Sequence, residues 1–387
     1  FPKERNEIKS YVNKLKELAD KYPLYNLKYD KMPEELNFDY LDESILSYFN
    51  QNFSNSKLRS VLGGTNLLYA GEPEISTFYE HGLIMNSYIE SSYRFINGSG
   101  QIANALVRNI RRMGGTVLRY KKVSKIVCDD KSNAQYVELD NGERFYADNF
   151  ISNIHPTTTM NLVDGVKIRK SYTNRLNAIP NSSSAFALHI AFKKDSFPFF
   201  NHNAYHFKDG AVWDTMNYTD AEWPKSYLAL TPPSSQNDEF ADGMIVIAYM
   251  HYDEVAKWGD VENTVGFEES RGADYEEFKI KKSEKLIDEI AKKYPGIRNH
   301  IESYCSSTPL TYKDYLHTPE GSIYGYMKDF QNPLKAYISP MTKVRNLYFT
   351  GQNVNMHGVM GVTVSSIITC GALLGTNYLL GKVLESK

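Results

Sequence analysis

The chain has 387 residues and a formal net charge of -2, enough polypeptide for two domains and no global electrostatic attraction to nucleic acid. Its hydrophobic share of 42% and charged share of 23% are those of a globular protein and exclude a disordered or fibrous one. Three cysteines, Cys128, Cys305 and Cys370, are odd in number and far apart, which argues against a disulfide framework or a thiolate zinc site and for a reducing, cytoplasmic setting.

The spacing of Ile8, Tyr11, Val12, Leu15, Leu18 and Ala19 predicts a helix over 3–21, stopped by Pro23. Helix and loop signals continue to about residue 95, with turns at Gly63-Gly64 and Gly71-Glu-Pro73. A second amphipathic helix is predicted over 100–113, carried by Ile102, Ala103, Leu106, Val107, Ile110 and Met113 and closed by Gly114-Gly115. A β region follows over 116–128, 135–139 and 144–146, the last two joined by a hairpin at Asn141-Gly142. A short strand at 149–154 ends in His155-Pro156, and further strands are predicted at 185–192, 204–207 and 244–250. Residues 274–294 read as a long helix with Leu286, Ile287, Ile290, Ala291 and Tyr294 on one face. The chain closes with a buried-type strand at 346–350, a glycine-rich turn and a mostly apolar helix from about 362 to 381. That helix is near membrane-spanning length, but Thr363, Ser365, Ser366, Thr369 and its glycines suit packing inside a protein.

The strongest chemical signal is Phe349-Thr-Gly-Gln-Asn-Val-Asn-Met-His-Gly-Val-Met-Gly361, a strand, a turn and a helix start. Glycines let backbone approach a ligand, and the first N–H groups of a helix have no internal partner. Such an end suits a phosphate or the anionic edge of a reduced flavin. No GxGxxG follows a predicted strand and opens a helix; Asn97-Gly-Ser-Gly100 follows a loop, so these residues do not assemble a complete dinucleotide site. No HExxH is present, and His202 and His206 are four apart on a strand, so no metal site is expected. The 29 tyrosines are either a bias of composition or the aromatic lining for a long apolar ligand.

Gly98-Ser-Gly-Gln-Ile-Ala-Asn-Ala-Leu106, Gly114-Gly115, Val123-Ser-Lys-Ile126 and Ala147-Asp-Asn-Phe-Ile-Ser-Asn153 with Pro156 stand in an order that resembles the middle FAD-domain segment of the phytoene desaturase, carotenoid isomerase and retinol saturase family. Thr308-Pro-Leu-Thr311, Tyr315, Pro319-Glu-Gly-Ser-Ile-Tyr-Gly325 and Asn346-Leu-Tyr-Phe-Thr-Gly-Gln352 are most similar to the retinol saturase branch. The opening Phe1-Pro2 and its helix resemble the segment that follows the nucleotide-binding βαβ unit there.

The resemblance covers nearly the whole chain and implies an α/β fold of the FAD-dependent amine-oxidase and phytoene-desaturase type, with an α+β substrate domain. Residues 96–165 and 336–387 would contribute to the FAD domain, and 1–95 and 166–335 to the substrate domain. It implies FAD as cofactor, with the Val123 backbone at the adenine. Gly351, Gln352, Gly358, Val359, Met360, Gly361 and Val362 would border the pyrophosphate, ribityl chain and flavin ring.

It further implies reduction of a C=C bond in an apolar isoprenoid or polyene lipid, with peripheral contact to a membrane surface. His357 and Tyr324 are the candidates for the proton such a reduction needs; the plainer readings are a turn residue bonded to backbone and a packed core tyrosine. The family's N-terminal GxGxxG and acidic ribose ligand have no match in these residues. The expectation is therefore of a fold whose nucleotide-binding βαβ unit is missing. Desaturation or isomerisation with the same cofactor is the nearest alternative. An amine oxidase is a weaker one, since no aromatic pair flanks the turn, and an inert fragment unable to hold FAD alone is the non-enzymatic one.

Overall fold

The computed structural model describes residues 1–22, 24, 25, 27, 41–236 and 238–385; the expected stop at Pro23 lies outside them. The first unit is helical: α1 (Arg5–Lys21), α2 (Ile45–Asn52), α3 (Ser56–Gly63) and α4 (Phe78–Glu90). The predicted stripe of α1 is the buried one, Tyr11, Leu15, Leu18 and Ala19, and it packs on Phe49, Phe53 and Phe78. The three shorter helices each start at a side-chain cap, Ser44, Asn55 and Thr77, which accept from main-chain N–H groups that the helix leaves unpaired.

Helix α5 (Gly100–Arg112) forms where its periodicity predicts, yet none of its residues is buried. Leu106 is 58% exposed and Ile110 44%.

A four-stranded sheet follows in the order β3-β2-β1-β5, built from β1 (Val123–Cys128), β2 (Ala134–Leu139), β3 (Arg144–Tyr146) and β5 (Val163–Asp164). The strand expected from Thr116 begins only at Val123. β4 (Phe150–Ser152) pairs in parallel with β11 (Leu347–Phe349), Phe150 opposite Leu347, in a separate two-stranded sheet. Among the described residues, the other edge of β4 has no partner strand. β4 stops at Ser152, and His155 then caps helix α6 (Pro156–Asn161) by accepting from the Thr157 N–H.

The largest sheet has the order β10-β6-β9-β8-β7, with every neighbouring pair antiparallel. Its strands are β6 (Ser184–Phe192), β7 (Ala204–Phe207), β8 (Ser226–Leu230), β9 (Gly243–Met250) and β10 (Ile301–Ser307). Helix α7 (Lys170–Asn177) precedes it, and α8 (Ala273–Lys293) buries Leu286, Ile287 and Ile290 in the same core as Phe186, Leu188 and Trp223. β8 and β10 are additions to the predicted strands. Helix α9 (Pro309–Leu316) follows β10, its start fixed by a reciprocal cap between Thr308 and Thr311.

The single C-terminal helix expected over 362–381 is two helices, α10 (Gly358–Leu374) and α11 (Thr376–Glu385). Gly375 between them has φ +93°, and its N–H closes on the Gly371 carbonyl at 2.9 Å. A positive φ ends the helix there, and no helix among the described residues is long and apolar enough to cross a membrane. A Gly375→Ala chain should lose about 1–2 kcal/mol of stability in urea unfolding, the cost of forcing a Cβ into that backbone region; an unchanged midpoint would show that α11 re-docks without cost.

Candidate active site

The turn between β11 and α10 is anchored to β4 before it reaches open space. The Thr350 N–H bonds the Ser152 carbonyl at 3.0 Å. Gly351 is buried with φ +90°, and a Cβ on it would overlap Asn153 Oδ1. Asn353, 5% exposed, accepts from the Tyr326 N–H at 3.0 Å through Oδ1. The Tyr22 hydroxyl donates to Asn355 Oδ1 at 2.6 Å, which ties the turn to the end of α1. His357 is the N-cap residue of α10, and no side chain caps that end.

This end opens on a cavity of about 410 Å³. Gln352, His357, Gly358, Val359, Met360 and Gly361 form one wall, and Tyr22, Tyr25, Tyr88, Tyr324 and Ile84 face them. None of its described lining residues is Asp, Glu, Lys or Arg. Burial raises the phenols of Tyr22, Tyr25 and Tyr324, so all three stay protonated at neutral pH.

Tyr324 and His357 pack ring on ring, with centroids 4.3 Å apart and a 32° tilt. Their polar ends turn away to backbone: the Tyr324 hydroxyl donates to the Leu67 carbonyl at 2.9 Å, and His357 Nε2 lies 2.7 Å from the Leu68 carbonyl. Burial lowers the His357 imidazole to about 4. Both rings are thus neutral, and either would have to leave a carbonyl before giving a proton to the cavity.

Behind His357 lies Glu80 of α4, 7% exposed, with Oε1 3.8 Å from His357 Nδ1. Burial pushes its carboxyl up to about 7, opposed by the Lys328 ammonium. Lys328 is in turn lowered by burial, with Glu80 opposing.

The structure therefore brings seven of the ten sequence candidates to one cavity: His357, Tyr324, Gln352, Gly358, Val359, Met360 and Gly361. Gly351 is buried behind the turn, and Val362 lies on the exposed side of the first helical turns, 39% exposed. Val123 lines a different cavity, of about 690 Å³, beside the free edge of β4. Asn153 joins the two regions, since it lines the second cavity and backs Gly351 of the first. Glu80 and Lys328 carry no signal of this kind in the sequence; Thr77-Phe-Tyr-Glu80 reads only as a helix start. No group of three or more His, Cys, Asp or Glu among the described residues could hold a metal ion.

No family profile matches the chain. An all-trans-retinol 13,14-reductase of Danio rerio is 24% identical over 359 residues, 87% of this chain and 58% of that protein. The same-named protein of Rattus norvegicus is 26% identical over 357 residues, with the same coverage of each. A chloroplastic prolycopene isomerase of Daucus carota is 24% identical over 280 residues, 70% of this chain and 42% of that one. The chain is thus similar in sequence to all-trans-retinol 13,14-reductases and to a prolycopene isomerase. It spans about 58% of the length of the retinol saturase relatives it matches.

Among solved structures, putrescine oxidase bound to putrescine superposes with a TM-score of 0.60 at 11% identity, covering all of this chain and 76% of that one. A fatty acid isomerase of P. acnes that produces CLA gives 0.57 at 8% identity, over 95% and 75% of the two chains. These likenesses concern the fold alone, a mixture of helices and sheets shared with a putrescine oxidase and a fatty acid isomerase.

Proposed function

We propose that the chain carries the cofactor-facing and substrate-facing walls of an FAD-dependent oxidoreductase that reduces a C=C bond of a neutral isoprenoid or polyene lipid. The observation that carries this reading is a helix end without a side-chain cap that opens on an aromatic cavity free of charged side chains among its described lining. A flavin fits there. An added Cβ on Gly358 would meet nothing within 4 Å, and Val359 and Met360 stand 62% and 36% exposed on the first turn of α10, apolar surface beside unpaired N–H groups. Gly351, Gln352 and Gly358 to Val362 would hold the flavin portion, and the Val123 backbone the adenine portion along the second cavity.

FAD, once bound and reduced, would supply the hydride. The chain's residues supply the rest. Tyr22, Tyr25, Tyr88 and Ile84 give an apolar bed that excludes water, and Tyr324 with His357 forms its floor. A proton from Tyr324 or His357 would require release from Leu67 or Leu68. Desaturation and isomerisation use the same walls. The 13,14-reductase relatives favour reduction, the prolycopene isomerase favours isomerisation, and the described lining favours a neutral molecule over an amine cation, which would meet no carboxylate among those residues. An apolar substrate of this kind is drawn from a membrane surface, so peripheral contact with lipid belongs to the same reading.

The test starts with absorbance. Purified protein should show flavin bands or regain them with added FAD; protein that stays colourless would remove the cofactor from this reading. Reduced anaerobically and mixed with a polyene alcohol, the protein should reoxidise and yield a product heavier by two hydrogens. Product of unchanged mass would favour the isomerase, and oxidation of an amine but not reoxidation by the polyene would replace the proposal.

A further inference from the structure

Three phenols of the cavity wall differ in how firmly their hydrogens are held. The Tyr22 hydroxyl donates to Asn355 at 2.6 Å, and that of Tyr324 to the Leu67 carbonyl at 2.9 Å. The Tyr25 hydroxyl reaches only the Leu83 carbonyl, at 3.3 Å, and that oxygen already serves the ladder of α4. Tyr25 therefore gives up little if its hydrogen turns to a ligand.

Asn86 of α4 fixes the other side of that phenol. Its Nδ2 lies 3.0 Å from Glu90 Oε1 and 3.1 Å from the Tyr25 oxygen. A carboxylate only accepts, so the amide nitrogen must face Glu90, and its second hydrogen goes to Tyr25. The phenol oxygen is thus an acceptor toward Asn86, and its own hydrogen is left for another partner. Asn86 Oδ1 is left over as well. The residue is fully buried, and among the described residues this oxygen has no hydrogen-bond partner. A buried acceptor without a donor is costly.

Beside the cavity there is therefore one loosely held donor and one orphan acceptor. Oδ1 shares a carbon with the nitrogen that holds Tyr25, so a single ligand atom can reach both groups. A hydroxyl answers both, since its oxygen accepts and its hydrogen is donated. An ether answers only the first, and a hydrocarbon neither. The other polar groups of the described lining are engaged: Ser87 donates to the Ile84 carbonyl at 2.7 Å, Asn355 accepts from Tyr22, and Gln352 belongs to the proposed flavin wall. Burial gives a direction. Tyr25 and Leu83 are 5% and 1% exposed, whereas Tyr88 and Val359 of the same lining are 42% and 62% exposed, so the pair lies at the inner end.

We propose that Tyr25 and Asn86 are the specificity-determining pair of this cavity and bind a terminal hydroxyl of the lipid there. The ligand then enters oxygen first, and its apolar chain lies across the head of α10. The pair rests on the reading of the cavity as a lipid site and deepens it, but it needs no cofactor.

The experiment uses the full chain without added FAD and three probes: all-trans-retinol, its methyl ether, and the hydrocarbon with hydrogen in place of the hydroxyl. Each is titrated by the change in polyene fluorescence on binding. The alcohol should bind about tenfold more tightly than the hydrocarbon, with the ether between them. In Tyr25→Phe that tenfold preference should drop to about threefold or less.

A preference that stays tenfold in Tyr25→Phe overturns the pair. Equal affinity of the unmodified chain for all three probes also overturns it, and decides even if the variant does not fold. An ether that binds as tightly as the alcohol removes Asn86 and overturns the pair as a pair. Binding of none of the probes would end the lipid-site reading and the pair together. Absent flavin bands beside an intact alcohol preference would end the cofactor reading alone.

Discussion

Alanine at Gly351 should cost about 3 kcal/mol of stability, the sum of a positive-φ penalty and an overlap that cannot relax. The overlap is with Asn153 Oδ1, and Asn153 follows the strand that carries the whole turn, so the turn would be pushed away from β4. Loss of flavin retention should accompany the loss of stability if the proposed cofactor site is right. Gly358→Ala is the control. Gly358 has φ +76° but open space around an added Cβ, so it should pay the backbone penalty alone, about 1–2 kcal/mol. Urea unfolding of the two variants checks this; equal losses would mean that the Asn153 contact does not set the turn.

Acid should destabilise the protein steeply between pH 6.5 and 4.5, well before most carboxylates titrate. Three histidines are buried and neutral. His81 is fully buried between the Tyr11 hydroxyl at 2.6 Å and the Tyr69 hydroxyl at 3.0 Å, and burial lowers it to about 3. His155 is 1% exposed and lowered to about 4 by burial, with its bond to Asn181 opposing, and His357 is lowered to about 4. In the unfolded chain all three titrate near 6.5. Below that pH the unfolded state binds more protons than the folded one, so stability is complete above about 6.5 and drains away as pH falls toward the folded values.

Glu80 works in the opposite sense. Its raised folded value favours the folded state as pH falls from about 7 to about 4. Three histidines against one carboxyl leave about two protons, a slope on the order of 3 kcal/mol per pH unit near pH 5.5. Urea midpoints at half-unit intervals of pH would measure it. A flat profile from pH 7 to 5 would mean that these rings find protonated partners in the folded state.

Much of the fold was legible because most elements bury one face. The stripe of α1, the hairpin at Asn141-Gly142, β6, β9 and the face of α8 all follow from periodicity and turn chemistry. β10 was not legible: Ile301-Glu-Ser-Tyr-Cys-Ser-Ser307 is an edge strand with no buried residue, so it has no apolar alternation to read. The C-terminal pair reads as one helix in sequence because apolar residues resume at Tyr378 and Leu379 after only Gly375-Thr-Asn377; the backbone angle at Gly375 separates α10 from α11.

The glycine turn and its helix start were legible, and the structure opens them on a cavity. The tyrosine wall was legible only as an excess of tyrosine, because Tyr22, Tyr25, Tyr88 and Tyr324 come from separate parts of the chain and meet through folding. Glu80 and Lys328 were invisible for the same reason. They are 248 positions apart (328 minus 80), and what distinguishes them is shared burial.

The bare stripe of α5 bears on how the molecule breathes. A helix of 13 residues is marginal in water unless something packs on it, since nucleation costs more than a few turns return. With no buried side chain, α5 is held chiefly by its own ladder, capped by Met113 and Gly114 N–H groups closing on Asn109 and Arg111. Its amides therefore open on their own, far below the free energy needed to unfold the β6–β9 core, and trade hydrogen with solvent first. Local melting would start there, at Gly100–Arg112, with the sheets intact.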